Sequence, residues 1–309
     1  MQPPLVSILV PTYKRPAMLK RCLAHTLEVI KVSPHLFEVI VGDNSNLPEN
    51  HEIFLSFKSV WNGRAKYIAH PTSLGMQGNF NALITEASAH WIQFVHDDDF
   101  LLPGSEQALL AAVEEGSASP YKFRVCLVDI KGQKIRNEGQ TGTSILSPEH
   151  SLKKALSDSS FFRFPSIFST KKMYEECGCF DQHYGYISDQ ALWLEMCSRH
   201  GLIEKPDVTV AYCIHEGAGT SSMFTSEYIA RLETLLSKYA SFVSEDSLAQ
   251  RKLVSRFLWK FTLAGCIRAL RQRNWILLRK RATIFDHLSS MGYDCPLQWI
   301  PLRIIFGVI

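Results

Sequence analysis

Four short apolar runs, each breaking off into a polar cluster, constrain this chain more than any other feature. The runs are PLVSILV (4–10), LFEVIV (36–41), AKYIA (65–69) and WIQFV (91–95). They are rich in Val, Ile and aromatics and short enough for strands, so they read as strands. Helical spacing lies between some of them. Pro16 suits a first helical position, and Leu19, Leu23, Leu27 and Ile30 fall on one face. Phe80, Leu83, Ile84 and Ala87 repeat the pattern after Gly78. Strand alternating with helix implies right-handed crossovers and a mostly parallel sheet flanked by helices, an α/β fold of Rossmann-like character. In such sheets ligands bind beyond the carboxyl ends of the strands. The clusters PTYKR (11–15), GDNSN (42–46), HPTSLGMQGN (70–79) and HDDD (96–99) would then share one rim.

Further along, helices are expected at 106–115, 148–157, 170–177 and 189–200, the last with Ser188 as N-cap and Gly201 as its stop. Strand-like pieces fall at 123–130, 166–169 and 208–214. From about 226 the pattern is all helical, which divides the chain into a domain over 1–225 and a basic, apolar helical region over 226–309.

The run Asp97-Asp98-Asp99 sits at the end of an apolar strand. Adjacent carboxylates repel and resist burial, so a solvated turn is one reading. The other is a divalent-cation site, because Mg²⁺ and Mn²⁺ prefer carboxylate oxygens and complete their shell with water and substrate phosphate. A cation bridging a diphosphate also neutralises a departing nucleotide.

Over about residues 4–224 the order and spacing of SILVPTYKR, VIVGDNSN, the NFN helix and the strand ending in HDDD resemble the inverting nucleotide-sugar glycosyltransferases of the GT-A fold, family-2 type. The resemblance implies a nucleotide-diphospho-sugar donor, UDP-linked by preference, a Mn²⁺ or Mg²⁺ cofactor, and a glycan or lipid-linked acceptor. Surface polysaccharide or lipopolysaccharide synthesis is the implied setting. Residue by residue, it places Pro11, Thr12, Tyr13 and Arg15 under the nucleotide, Asp43 on the base or ribose, and Asn81 beside the site. Asp97 and Asp98 face the donor, with Asp98 and Asp99 as metal ligands. Where the family's D-x-D-D pattern begins with Asp, this chain has His96, either a packing residue or a ligand. The family's base follows a GxFD turn. Gly178, Phe180 and Asp181 match that turn, and SD (188–189) stands where an acidic pair is usual, so Asp189 is the implied base. Read alone, Asp189 is also an ordinary carboxylate at a helix N-terminus. His215, ahead of the Gly- and Ser-rich EGAGTSS, would join the metal shell or donate to phosphate. Arg163 would help the diphosphate or form a surface ion pair.

Other classes lack their signatures. No G-x-G-x-x-G follows the first strand, and no G-x-x-x-x-G-K-[ST] occurs, against an NAD enzyme or a P-loop. A metal-dependent nucleotidyl- or phosphotransferase, or a sugar-nucleotide-binding module without turnover, stays open on the acidic strand end alone. The net charge of +3 is too mild to imply nucleic acid. Eight scattered Cys, with the only close pair spaced C-G-C, read as thiols in a reducing compartment rather than zinc ligands. With no leader pattern and no apolar stretch of about 18 residues, a cytoplasmic protein is expected, with residence at the inner face of the membrane left open by its tail. That tail holds ten Lys or Arg and no Asp or Glu between Arg251 and Phe285, and ends in the apolar LQWIPLRIIFGVI (297–309). Such segments lie on an anionic membrane, pair in a homodimer, or pack on the catalytic domain with a solvated basic face.

Overall fold

The structure is a computed structural model and describes residues 3–215, 223–295 and 299. The EGAGTSS loop and, apart from Trp299, the apolar terminus LQWIPLRIIFGVI lie outside the described residues. In chain order the elements begin with β1 (Val6–Thr12), α1 (Pro16–Ile30), β2 (Phe37–Asp43), α2 (Pro48–Val60), β3 (Arg64–Ala69), α3 (Gly75–Glu86) and β4 (Trp91–Phe94). Then come β5 (Phe100–Leu101), α4 (Ser105–Glu115), β6 (Tyr121–Val128), β7 (Lys134–Glu138), β8 (Ser144–Leu146) and α5 (Pro148–Ser157). They are followed by β9 (Ile167–Thr170), α6 (Lys171–Glu176), α7 (Ser188–His200), β10 (Leu202–Cys213), α8 (Ser226–Val243), α9 (Ser247–Arg271) and α10 (Trp275–Ser290).

Two compact units result: Met1–Leu146 with Arg163–His215, and Ser147–Phe162 with Glu216–Ile309. The first unit is a ten-stranded sheet with the order β3-β2-β1-β4-β9-β6-β10-β5, β7 lying on β6 and β8 on β10. Strands β1 to β4 run parallel, as the alternation of strand and helix requires. Strand β9 is antiparallel to both β4 and β6 and joins this half to the parallel pair β6–β10. The helices cover the sheet through apolar stripes: Leu19, Cys22, Leu23 and Ile30 of α1 are buried, the 3–4 spacing that the sequence displays. Every residue of β1, β2 and β4 is buried, so these strands are near-continuous apolar runs rather than alternating ones.

Two polar devices fix the register at opposite ends of the sheet. At the start of β2, buried Glu38 accepts hydrogen bonds from the Ser7 hydroxyl and from the Ser88 hydroxyl (2.8 Å), Ser88 N (2.6 Å) and Ala89 N (3.2 Å), locking the turn before β4. At the far end, Asn79 of α3 donates to the carbonyl of Gly42 at 2.9 Å. The helix comes so close that a Cβ on Gly42 would lie 2.5 Å from Asn79 Oδ1 and 2.9 Å from Leu83 Cγ. Only glycine permits that approach.

The second unit is helical. Ile229, Leu232, Leu235, Leu236 and Tyr239 of α8, Leu152, Ala155 and Leu156 of α5, and Val254, Phe257, Leu258 and Trp259 of α9 are buried. Arg281 of α10 is also buried; it donates to the Gly265 carbonyl at 2.7 Å and stacks over Phe224 at 4.4 Å. No helix among the described residues is long and apolar enough to cross a membrane.

Candidate active site

The site grows from the loops at the carboxyl ends of the parallel strands. After β1 the chain turns through Lys14, whose φ of +55° is left-handed, and enters α1 at Arg15. Pro11 and Thr12 are buried at the strand end, while Tyr13 stands half-exposed on the rim. After β4 the turn His96–Asp99 meets this loop. Thr12 Oγ1 donates to Asp97 at 2.8 Å, and Arg15 reaches Asp97 at 3.4 Å and Asp98 at 3.0 Å. The turn closes by a bond from Asp99 N to the His96 carbonyl (3.0 Å). It is anchored to β10 where Cys213 N donates to Asp99 at 2.8 Å. His215, just past β10, meets Asp98 through Nε2 at 2.8 Å. Thus Thr12, Arg15, Asp97, Asp98, Asp99 and His215 form one connected cluster.

The three carboxylates are not equivalent. Burial opposes charge on Asp98, but the His215 hydrogen bond, the nearby His96 ring and the Arg15 guanidinium outweigh it and hold the pKa below the usual value. Burial and the neighbouring Asp98 push Asp97 up to about 7, against Arg15 and Thr12. Burial and Asp98 also raise Asp99 well above the ordinary range. The repulsion expected of three adjacent acids is therefore relieved by one firm anion beside the Arg15 guanidinium, with its two neighbours driven towards the protonated form. Burial lowers His96 to about 4, so its ring is neutral. It packs against Phe80 (centroids 5.4 Å) and Phe164 (4.1 Å), which also touch each other.

Ligand atoms of His96, Asp98 and Asp99 lie within 4.8 Å of one another. Asp99 Oδ2 and His96 Nε2 are buried and have no hydrogen-bond partner among the described residues. These two unpartnered atoms beside an ionised carboxylate fit a divalent cation, since a neutral imidazole and carboxylate oxygens are its ordinary ligands.

Asp189 lies in the first turn of α7, partly buried, with Gln190 N donating to it at 2.7 Å. Burial raises its pKa to about 6, only partly offset by backbone bonds from Gln190 and Asp189. Ser188 is the first helical residue rather than the cap before it. Gln77 of α3 donates to Ser188 Oγ at 3.1 Å and to the Gly185 carbonyl, tying the turn before Asp189 to the helix that begins at the rim.

Other expected site residues are engaged locally. Asp43 accepts from Ser45 N (2.8 Å), Ser45 Oγ (2.6 Å), Leu47 N (3.1 Å) and the Tyr67 hydroxyl (2.7 Å). Burial works against its charge, and the bonds from Ser45 and Tyr67 overcome it, so its pKa is lowered. Asn81 pairs with the backbone of Phe180 in both directions, at 2.9 Å each, and so pins the Gly178–Asp181 turn. Arg163 makes an ion pair with Glu138 at 2.8 Å, with both side chains mostly covered rather than on the surface. Arg21 has no signal in the sequence. From α1 it donates to the Asp98 carbonyl at 2.6 Å and the Ile130 carbonyl at 2.7 Å, bracing the acidic turn.

The sheet topology, with the acidic turn on its carboxyl rim, is that of the GT-A fold. The sequence profile of Glycosyl transferase family 2 matches residues 7–177, and the chain belongs to that family. It is 32% identical over 114 residues to an uncharacterized protein of Mycobacterium tuberculosis, covering 37% of this chain and 34% of that one. It is 24% identical over 197 residues to the GalNAc(5)-diNAcBac-PP-undecaprenol beta-1,3-glucosyltransferase of Campylobacter jejuni, covering 62% of this chain and 60% of that one. The chain thus spans about a third and three fifths of these relatives. Among solved structures, S. aureus TarS 1-349 superposes with a TM-score of 0.62 at 13% identity, over 90% of this chain and 80% of that chain. The same protein in complex with UDP-GlcNAc gives 0.59 at 13% identity, over 94% and 93%. At this identity the likeness is one of fold.

Proposed function

We propose that the protein transfers a sugar, with inversion, from a nucleotide-diphospho-sugar, UDP-linked by preference, to a hydroxyl of a glycan or lipid-linked acceptor in surface polysaccharide synthesis. One observation carries this reading: the ionised Asp98, flanked by Arg15 and His215, stands beside two buried ligand atoms without partners among the described residues. The Campylobacter relative's undecaprenol-linked acceptor and the UDP-GlcNAc seen in a structural neighbour support the choice of substrate classes.

Pro11, Thr12 and Tyr13 form the wall on which the nucleotide lies, Tyr13 offering its exposed ring. Asp43 contributes through the loop it braces, since its four bonds occupy both oxygens. Asn81 acts likewise, by holding the turn that leads to Asp189. Arg15 keeps Asp97 and Asp98 oriented and presents positive charge towards the diphosphate. A divalent cation held by Asp98 and Asp99, with His96 as third ligand and His215 steadying Asp98, would supply neutralisation of the departing nucleoside diphosphate. Asp189 takes the proton of the acceptor hydroxyl as its oxygen attacks the anomeric carbon from the face opposite the leaving group. The proton ends on the Asp189 carboxylate and the bonding pair of the broken C–O bond leaves with the diphosphate.

The test is nucleotide release from a panel of UDP-, GDP-, CDP- and dTDP-sugars with and without Mn²⁺, and the anomeric configuration of the product by NMR. Expected are Mn²⁺-stimulated release from one donor, an inverted product, and loss of release in Asp98→Asn. Ligand binding without turnover for every donor and acceptor, or a retained configuration, overturns the proposal.

A further inference from the structure

We infer that the tip of the α9–α10 hairpin is a docking surface for an anionic lipid bilayer. Helices α9 and α10 are joined by the tight turn Gln272–Asn274, which closes with Arg273 N donating to the Leu270 carbonyl (2.9 Å) and Asn274 N to the Ala269 carbonyl (3.0 Å). The Asn274 side chain then caps α10 by accepting from Leu277 N at 3.0 Å. The tip is therefore a built feature with a defined surface. On it Trp275 is 53% and Ile276 84% exposed, with Leu270 at 37%.

The packed face of α10 is carried by Leu278, Arg281, Ile284, Phe285 and Leu288. Ile276 lies off that stripe, and Trp275 projects at the helix end before it begins. Ile276 is left almost wholly to solvent, and Trp275 leaves about half of its surface there. An isolated exposed apolar residue needs no explanation, but two adjacent large ones at a projecting turn do.

The surroundings select the partner. Arg271, Arg273, Arg279 and Lys280 are all exposed around the pair, and no Asp or Glu occurs from Arg251 to Phe285. Two copies of the tip would bring cation against cation, which disfavours self-association. Nucleic acid would satisfy the charge but leaves Ile276 without a partner. An anionic bilayer satisfies both: headgroup phosphates take the guanidinium and ammonium groups, while Trp and Ile enter the boundary between headgroup and acyl chain.

Arg273 adds an independent sign. Its φ of +53° is left-handed, where glycine rests without strain and most other residues do not. The chain holds a cation at the one backbone position of the turn where a neutral glycine fits best.

The experiment is co-sedimentation of the full-length chain with vesicles of phosphatidylcholine alone and with added phosphatidylglycerol, across a salt series. Wild type binds the phosphatidylglycerol vesicles and loses affinity as salt rises. The double variant Trp275→Ser/Ile276→Ser binds more weakly at every salt concentration. Arg273→Gly loses about fivefold, the effect of one basic residue at such a surface. It keeps or raises the unfolding temperature, because it relieves the left-handed φ, so misfolding cannot account for the loss. Equal binding to both vesicle types, wild-type binding by both variants, tighter binding to duplex DNA than to vesicles at the same salt, or a dimer that the double variant abolishes would each overturn the assignment.

Discussion

Replacing Asp189 with Asn separates catalysis from folding at one atom. The amide keeps the shape and can still accept from Gln190 N, but it cannot take a proton. Burial moves the carboxyl from 3.8 to about 6, a rise of about 2 units, equivalent to about 3 kcal/mol against the charged form. In the wild type this group favours folding fully below pH 3.8, where folded and unfolded chains are both protonated. Its contribution falls as pH rises through the folded value near 6. Asp189→Asn removes the buried charge. Urea unfolding should show the variant more stable by up to about 3 kcal/mol at pH 7, the difference vanishing as pH falls below 3.8. Turnover should move the other way. A general base contributes about 10²- to 10⁴-fold, so kcat should fall by that factor while donor affinity holds. In the wild type, a base with pKa about 6 is about nine-tenths ionised at pH 7 and about one-eleventh at pH 5, so the rate should drop about tenfold over that span. Asp189→Asn should lose this slope. Near-normal turnover in the variant, or a fold weaker than wild type at pH 7, would refute the argument.

Asn81→Ala removes both bonds to the Phe180 backbone; it should lower stability by about 2 kcal/mol and reduce kcat more than donor affinity, since the turn before Asp189 loosens. Gly42→Ala drives a Cβ into Asn79 and Leu83 and should destabilise by about 1–3 kcal/mol in urea unfolding, with a midpoint equal to wild type counting against the close approach of α3. Arg21→Met should leave the Asp98 and Ile130 carbonyls without their donor and weaken Mn²⁺ binding, measured by calorimetry, while unchanged affinity would show that the brace is dispensable.

The parallel half of the sheet was legible because buried parallel strands are continuous apolar runs, and WIQFV or PLVSILV can hardly be anything else. The acidic turn was legible for the same reason: an apolar strand delivers its next residues to the rim. Helix α2 left only a weak amphipathic trace, since Asn50, Phe54 and Phe57 are its only buried residues. Strand β7 (KIRNE) is polar and never fully buried, so its identity rests on pairing with β6. Asn81 and Asp43 illustrate a different limit. Their positions follow from sequence order, but what their side chains hold depends on Phe180, Ser45 and Tyr67, the first of these about a hundred residues distant.

By itself the sequence determined which residues lie at the carboxyl ends of the strands, because period and apolar content fix strand position locally. Only the tertiary structure decided their charge states and alliances: Arg15 and His215 converge on Asp98, while Asp97 and Asp99 are driven towards protonation. Those outcomes depend on burial and on distances between residues up to 117 positions apart, and no local pattern encodes them.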